Sequence, residues 1–258
     1  MVRSAITAVS SPELTLAAGV LLRMAVAVAT GALPVASGVC MRVQAAIVLG
    51  LSLAAFPAAR NAAAADPGPA AWVLLSEASI GLVLGLMTAA VLSAAAWAGA
   101  ILGSVTGLSW ADDFTPDGDA RTAGLERLAW WMGLAGFFTA GGHLAVVAGL
   151  VGSVVSLPVG TAVGRHDGLL ALAAVMPATG MALAMSLAMP SLAAVVTFHL
   201  AAAIGVRVTQ FDPGQGLLHS VAALVLVGAV CVGAGSWIGG FASAVQVPLE
   251  RCFHDLRP

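Results

Sequence analysis

Long apolar stretches separated by short polar breaks run the length of this chain. Ala78 to Ala111, Leu128 to Gly164, Gly168 to Val206 and Gly214 to Leu249 contain no acidic or arginine residue, and each exceeds the roughly 20 residues a helix needs to cross hydrocarbon. Each holds one long helix or a bent helical hairpin. Two shorter runs precede them, Leu14 to Leu33 and Val43 to Ala59, with Pro34, Arg42 and the Pro57 to Pro69 segment as breakers. In lipid every backbone amide and carbonyl needs an internal partner, which leaves helices or closed barrels. Barrel strands alternate apolar and polar residues over about 10 positions, and no such alternation is present. The pattern predicts an all-α integral membrane protein. Six hydrophobic elements are expected near 14–33, 43–59, 72–111, 125–164, 168–206 and 214–249, in one domain spanning 1–258.

Composition agrees, with 60% hydrophobic and 9% charged residues. Net charge is −2 and the sequence pI about 6.2, so no basic stripe offers itself to nucleic acid. Cys40, Cys231 and Cys252 are odd in number and lack CxxC spacing, which argues against a disulfide framework or a zinc site; they read as buried small hydrophobes. Arg23 interrupts the first apolar stretch and another run follows it, so that stretch reads as retained, not as a cleaved signal. If each element crossed once, Arg3, Arg60, Arg165, Arg251 and Arg257 would face one side and Arg42, Arg121, Arg127 and Arg207 the other. Five against four gives no positive-inside orientation.

Membrane helices associate where small residues let backbones approach. Gly81 and Gly85 are four apart, as are Gly99, Gly103 and Gly107, and Gly235 and Gly239. Each set stacks on one helix face, and the triple is the better candidate for a packing seam; Gly81, Gly85, Gly99 and Gly103 are the residues expected at helix-packing contacts. A charge at mid-bilayer costs about 2.5–3.5 kcal/mol on the insertion scale, so Arg23 and Glu77 need partners: each other, or a neighbouring subunit. A coupling-ion or proton site is the sharper alternative. His143 and His199 are single histidines on apolar elements and read as core residues; no metal and no cofactor is expected.

Catalytic signatures are missing: there is no HExxH, GxSxG, Walker A or GxGxxG pattern. Asp112, Asp113, Asp117 and Asp119 lack the order of an EF-hand and its terminal Glu, and read as a solvated connection. An intramembrane enzyme would place such groups together within helices; the expectation is that the chain is not an enzyme.

Several short motifs follow one another in order. Arg23, Pro34 and Arg42 come first. Glu77-Ala-Ser-Ile-Gly81-Leu-Val-Leu-Gly85 opens the next element. Ala98-Gly99 leads to Gly107-Leu108-Ser109 and to Pro116 beyond the acidic pair. Phe137-Phe138-Thr-Ala-Gly-Gly142-His143 and Ser156-Leu157-Pro158-Val159-Gly160 come after. In this order and spacing, from about Leu14 to Arg207, the chain resembles the FliR/SctT family of the type III protein-export apparatus. It departs from the family near its C-terminus, where Val206-Arg-Val-Thr-Gln210-Phe211-Asp212-Pro213-Gly214 replaces a Pro-Gln-x-Asn-x-Phe and Gly-x-Pro pattern, and where His199 stands at a common Asn.

The resemblance implies a non-catalytic helical-hairpin subunit of the bacterial inner membrane, at the flagellar basal body. It would join FliP-like and FliQ-like export-gate subunits in a right-handed helical assembly, with a FliB-type or FlhB-like switch protein as a further partner, among membrane lipid and unfolded export substrates, and without nucleic acid. A subunit standing mostly among partners has less need of an arginine bias. By the same resemblance Gly107, Leu108, Ser109, Trp110, Phe114 and Pro116 form a channel plug, since hydrophobic constrictions can close channels. The Gly-Gly-His and Gly-Leu-Ser matches favour the flagellar branch over the SctT subunit of an injectisome. A small-solute permease is the remaining rival, with Pro177 and Pro190 breaking one long run, but no internal repeat accompanies it.

Overall fold

In the computed structural model, residues 12–33, 40–62, 69–106, 124–160, 166–209 and 214–254 are described, and every regular element among them is a helix. They are α1 (Pro12–Ala29), α2 (Met41–Ala62), α3 (Ala70–Thr106), α4 (Gly124–Thr139), α5 (Gly142–Ser156), α6 (His166–Thr209) and α7 (Gln215–His254). The chain is an all-α membrane protein. Five helices are long and apolar enough to cross a bilayer, and a sixth span results if α4 and α5 count as one broken crossing.

Local chemistry sets the helix ends. Pro12 and Glu13 open α1, where a missing N–H is harmless and a negative charge meets the positive end of the helix dipole. Its C-terminus is a Schellman motif: Gly31 adopts φ 107, Gly31 N–H reaches the Val28 carbonyl and Ala32 N–H the Ala27 carbonyl at 3.0 Å, satisfying carbonyls the last turn would leave open. For 125–164 the hydrophobic pattern allows one long helix or a bent helical hairpin, and the structure has two helices bent by 69° at their junction. The break falls at Ala140 and Gly141, whose φ of 71 is a left-handed conformation that glycine adopts without steric cost.

The chain divides into two compact units. The first comprises residues 1–91, 141–179 and 246–258, the second 92–140 and 180–245. In the first, α2 packs on both α1 and α5, and Arg60 near the end of α2 reaches Glu13 at the start of α1 at 3.2 Å, so these two helices are antiparallel. α1 and the N-terminal half of α3 run parallel: Glu77 lies beside Gly19, Gly81 beside Arg23, Gly85 beside Ala27 and Thr30, and Ala89 beside Gly31. Val20 and Met24 of α1, Leu84 of α3 and Leu150 of α5 are buried in this unit.

In the second unit the aromatic ring of Phe241, fully buried, lies over Gly133 and Gly136 of α4. A Cβ at 136 would come within 2.9 Å of the Ile238 carbonyl oxygen, and one at 133 would overlap the Ala95 methyl group. The same face of α4, one turn earlier, meets Gly99 of α3. Small residues thus set the close approach of α3, α4 and α7. Cys40 and Cys231 carry exposed free thiols, not the buried ones expected from sequence. Cys40 lies at the edge of α2, where its carbonyl accepts the Val43 N–H, and Cys231 sits on an outward face of α7 beside the exposed Val232.

Candidate functional site

Two charged residues on apolar helices come together in the first unit. Arg23 and Glu77 are each 0% exposed, and Arg23 Nε donates to Glu77 Oε2 at 2.6 Å. Helical spacing explains the meeting. Glu77, Gly81 and Gly85 lie four residues apart on one face of α3. The two glycines let that face sink onto the α1 backbone, which delivers Glu77 to Arg23.

The rest of the guanidinium turns to a third helix. Arg23 Nη1 donates to the Ser153 carbonyl at 2.9 Å and Nη2 to the Leu157 carbonyl at 2.8 Å. The last carbonyls of a helix carry the negative end of its dipole, and although Ser153 also accepts the Leu157 N–H at 2.9 Å, a buried cation there is favourably placed. Arg23 therefore ties α1, α3 and the C-terminal end of α5 together through a planar fork of donors that lysine could not reproduce. Ser153 Oγ also accepts from Nη1, at 3.5 Å, and donates to the Leu150 carbonyl at 2.7 Å. One acceptor is left over: Glu77 Oε1 is buried and accepts no hydrogen bond among the described residues.

His143, in the first turn of α5, is half-buried. His199 of α6 lies edge-on to Phe198, ring centroids 5.7 Å apart. Among the described residues no three His, Cys, Asp or Glu side chains converge as metal ligands would. This chemistry holds three helices together.

The glycine seam resolves into two contacts and an open stretch. A Cβ at Gly81 would overlap the Arg23 carbonyl oxygen, and one at Gly85 the Thr30 hydroxyl. At Gly99 it would lie 2.6 Å from Ala129 Cβ. Gly103 meets nothing within 4 Å, nor do Gly235 and Gly239, so within the chain the contact beginning at Gly99 does not continue along the helix. Gly107 and the remaining plug residues, Leu108, Ser109, Trp110, Phe114 and Pro116, lie outside the described residues. Sequence reasoning missed Gly133 and Gly136, whose spacing of three on α4 was a readable signal for close packing, and missed the Ser153 and Leu157 carbonyls, which as backbone acceptors leave no mark in a sequence.

A groove of about 340 Å³ in the second unit is lined by Ser186, Leu187, Pro190 and Ser191 of α6 and Ala229 and Gly233 of α7. Its walls are mostly apolar and carry no charge. The outer helices bury little within the chain: 11% of the apolar span in α2, 22% in α6 and 12% in α7, against 61% in α3.

Residues 14–211, which take in nearly all of α1 and continue through the end of α6, match the family model described as bacterial export proteins, family 1. No curated protein matches the chain.

Proposed function

Because the chain belongs to the bacterial export proteins of family 1, components of the type III export apparatus in the bacterial inner membrane, we propose that it is the flagellar member, a structural subunit of the export gate. It assembles with FliP-like and FliQ-like subunits and a FlhB-like switch protein, and passes unfolded substrates across the membrane without bond chemistry. The observation that carries this reading, beyond family membership, is the contrast between α3 and the outer helices. A chain that buries its central helix but leaves the apolar flanks of α2, α6 and α7 open has surface to give to neighbours. Residues 107–116 supply the plug in this reading, and energy input belongs to other components.

Deleting the coding region tests the assignment. The proposal expects loss of flagellar protein export and of swimming, both restored by a plasmid copy. A strain that swims but loses injectisome secretion would transfer the chain to the SctT role, and a strain that loses neither would overturn the reading.

A further inference from the structure

Resting on the reading of the chain as a gate subunit, we propose that the groove between α6 and α7 receives an apolar membrane-spanning helix of a partner subunit, and that one carboxamide side chain on that helix, an Asn or a Gln, bridges the Ser186 carbonyl and the Ser191 hydroxyl.

The groove holds two polar groups that α6 itself does not use. Among the described residues the other buried hydroxyls, Ser52, Ser76, Thr88, Thr106 and Ser153, each donate to a backbone carbonyl three or four residues back, the usual way a serine or threonine is satisfied inside a helix. Ser191 is 6% exposed and lines the groove, yet its hydroxyl has no hydrogen-bond partner among the described residues. Beside it Pro190 has no N–H, so the Ser186 carbonyl, four residues back, loses the donor that an α-helix supplies. The Ser186 hydroxyl is already committed to the Leu183 carbonyl at 2.8 Å.

These groups select the occupant. They lie near the middle of the Ala174–Val208 span, where polar groups facing hydrocarbon without a partner are costly and an acyl chain offers neither donor nor acceptor. A carboxamide offers both, its N–H₂ for the Ser186 carbonyl and its oxygen for the Ser191 O–H. A partner's serine or threonine would spend its proton on its own helix, as those of this chain do, whereas Asn and Gln reach across to a neighbouring helix. The opposite wall admits such a helix. Ala229, Gly233 and Gly240 line the groove from one face of α7, and a Cβ at Gly240 would meet nothing within 4 Å.

Photocrosslinking in membranes of the native host tests the assignment, with a diazirine amino acid in place of Ala229 in the full-length chain. The expected adduct is a peptide from an uncharged apolar stretch of another protein, carrying Asn or Gln. Pro190→Ala returns an N–H to the Ser186 carbonyl, and Ser191→Ala removes the hydroxyl; each should lower the crosslink yield about threefold or more at an unchanged level of the chain. If Pro190 were only a helix defect, Pro190→Ala would make α6 more regular and keep or raise the yield. The groove assignment is overturned by a yield that either variant leaves undiminished, by no adduct, or by an adduct to lipid, to a second copy of this chain or to a helix without a carboxamide. Co-purification of FliP-like and FliQ-like proteins in that case leaves the gate reading standing, whereas a chain that crosslinks to and co-purifies with no other protein overturns both.

Discussion

Gly85 of α3 lies so close to Thr30, the first residue past α1, that a Cβ at position 85 would overlap the threonine hydroxyl. That hydroxyl is tied to the Val26 carbonyl at 2.8 Å, and the Ala27 carbonyl oxygen would be 2.7 Å from the same Cβ. Neither neighbour can move without unravelling the end of α1. Gly81→Ala and Gly85→Ala should each destabilise the chain by about 1–3 kcal/mol through overpacking. Gly103→Ala, with open space around it, should be neutral or stabilising by up to about 1 kcal/mol from helix propensity. Thermal unfolding in detergent checks all three.

The Arg23 and Glu77 pair should show strong non-additivity. Removing either partner strands a buried charge, at about 3–5 kcal/mol, and Arg23→Met additionally takes the arginine donor from the Leu157 carbonyl and one of two donors from the Ser153 carbonyl, so it should cost more than Glu77→Leu. The double variant should lose clearly less than the two losses combined. The exposed Arg60 and Glu13 pair, with side chains 68% and 72% exposed, provides the contrast, and Glu13→Ala should leave the unfolding temperature nearly unchanged. Additive losses at 23 and 77 would contradict the geometry.

Phe241 lies beyond the family-matched residues, yet it seats on Gly133 and Gly136. Phe241→Ala should destabilise the second unit by about 2–3 kcal/mol, less than in a water-soluble core because lipid solvates apolar side chains in the unpacked state. Protease resistance of the 92–140 region in detergent is the readout; undiminished resistance would show that α7 is dispensable to it.

Charge pattern and run length made most of the fold legible, because a bilayer demands long uncharged helices and the chain supplies them within a few residues of the observed ends. Run length left 125–164 open to one long helix or a bent hairpin; the position of the bend, at Gly141, was not legible, because hydropathy does not register a sign change in φ. The cost of burying charge limited Arg23 and Glu77 to few options. Only the sunken Gly81 and Gly85 face chose between a partner within the chain and one outside it. Within the chain Gly81, Gly85 and Gly99 meet a neighbouring helix and Gly103 does not, since four-residue spacing says which residues share a face but not what faces them.

If residues 107–116 close the channel, deleting them should leave the chain incorporated in its complex while raising small-ion leakage across the membrane. An unchanged leak with normal export removes the plug. Gly103→Leu gives a related test: the chain itself has room for the side chain, so loss of assembly with an unaltered unfolding temperature would locate a partner at that face.

The claim that this chain is an export-gate subunit is tested most directly by affinity purification of the tagged protein from its native host in mild detergent, followed by mass spectrometry. Co-purification of FliP-like and FliQ-like proteins of the flagellar type is the predicted result. A chain recovered alone, as a stable oligomer of itself, would contradict it.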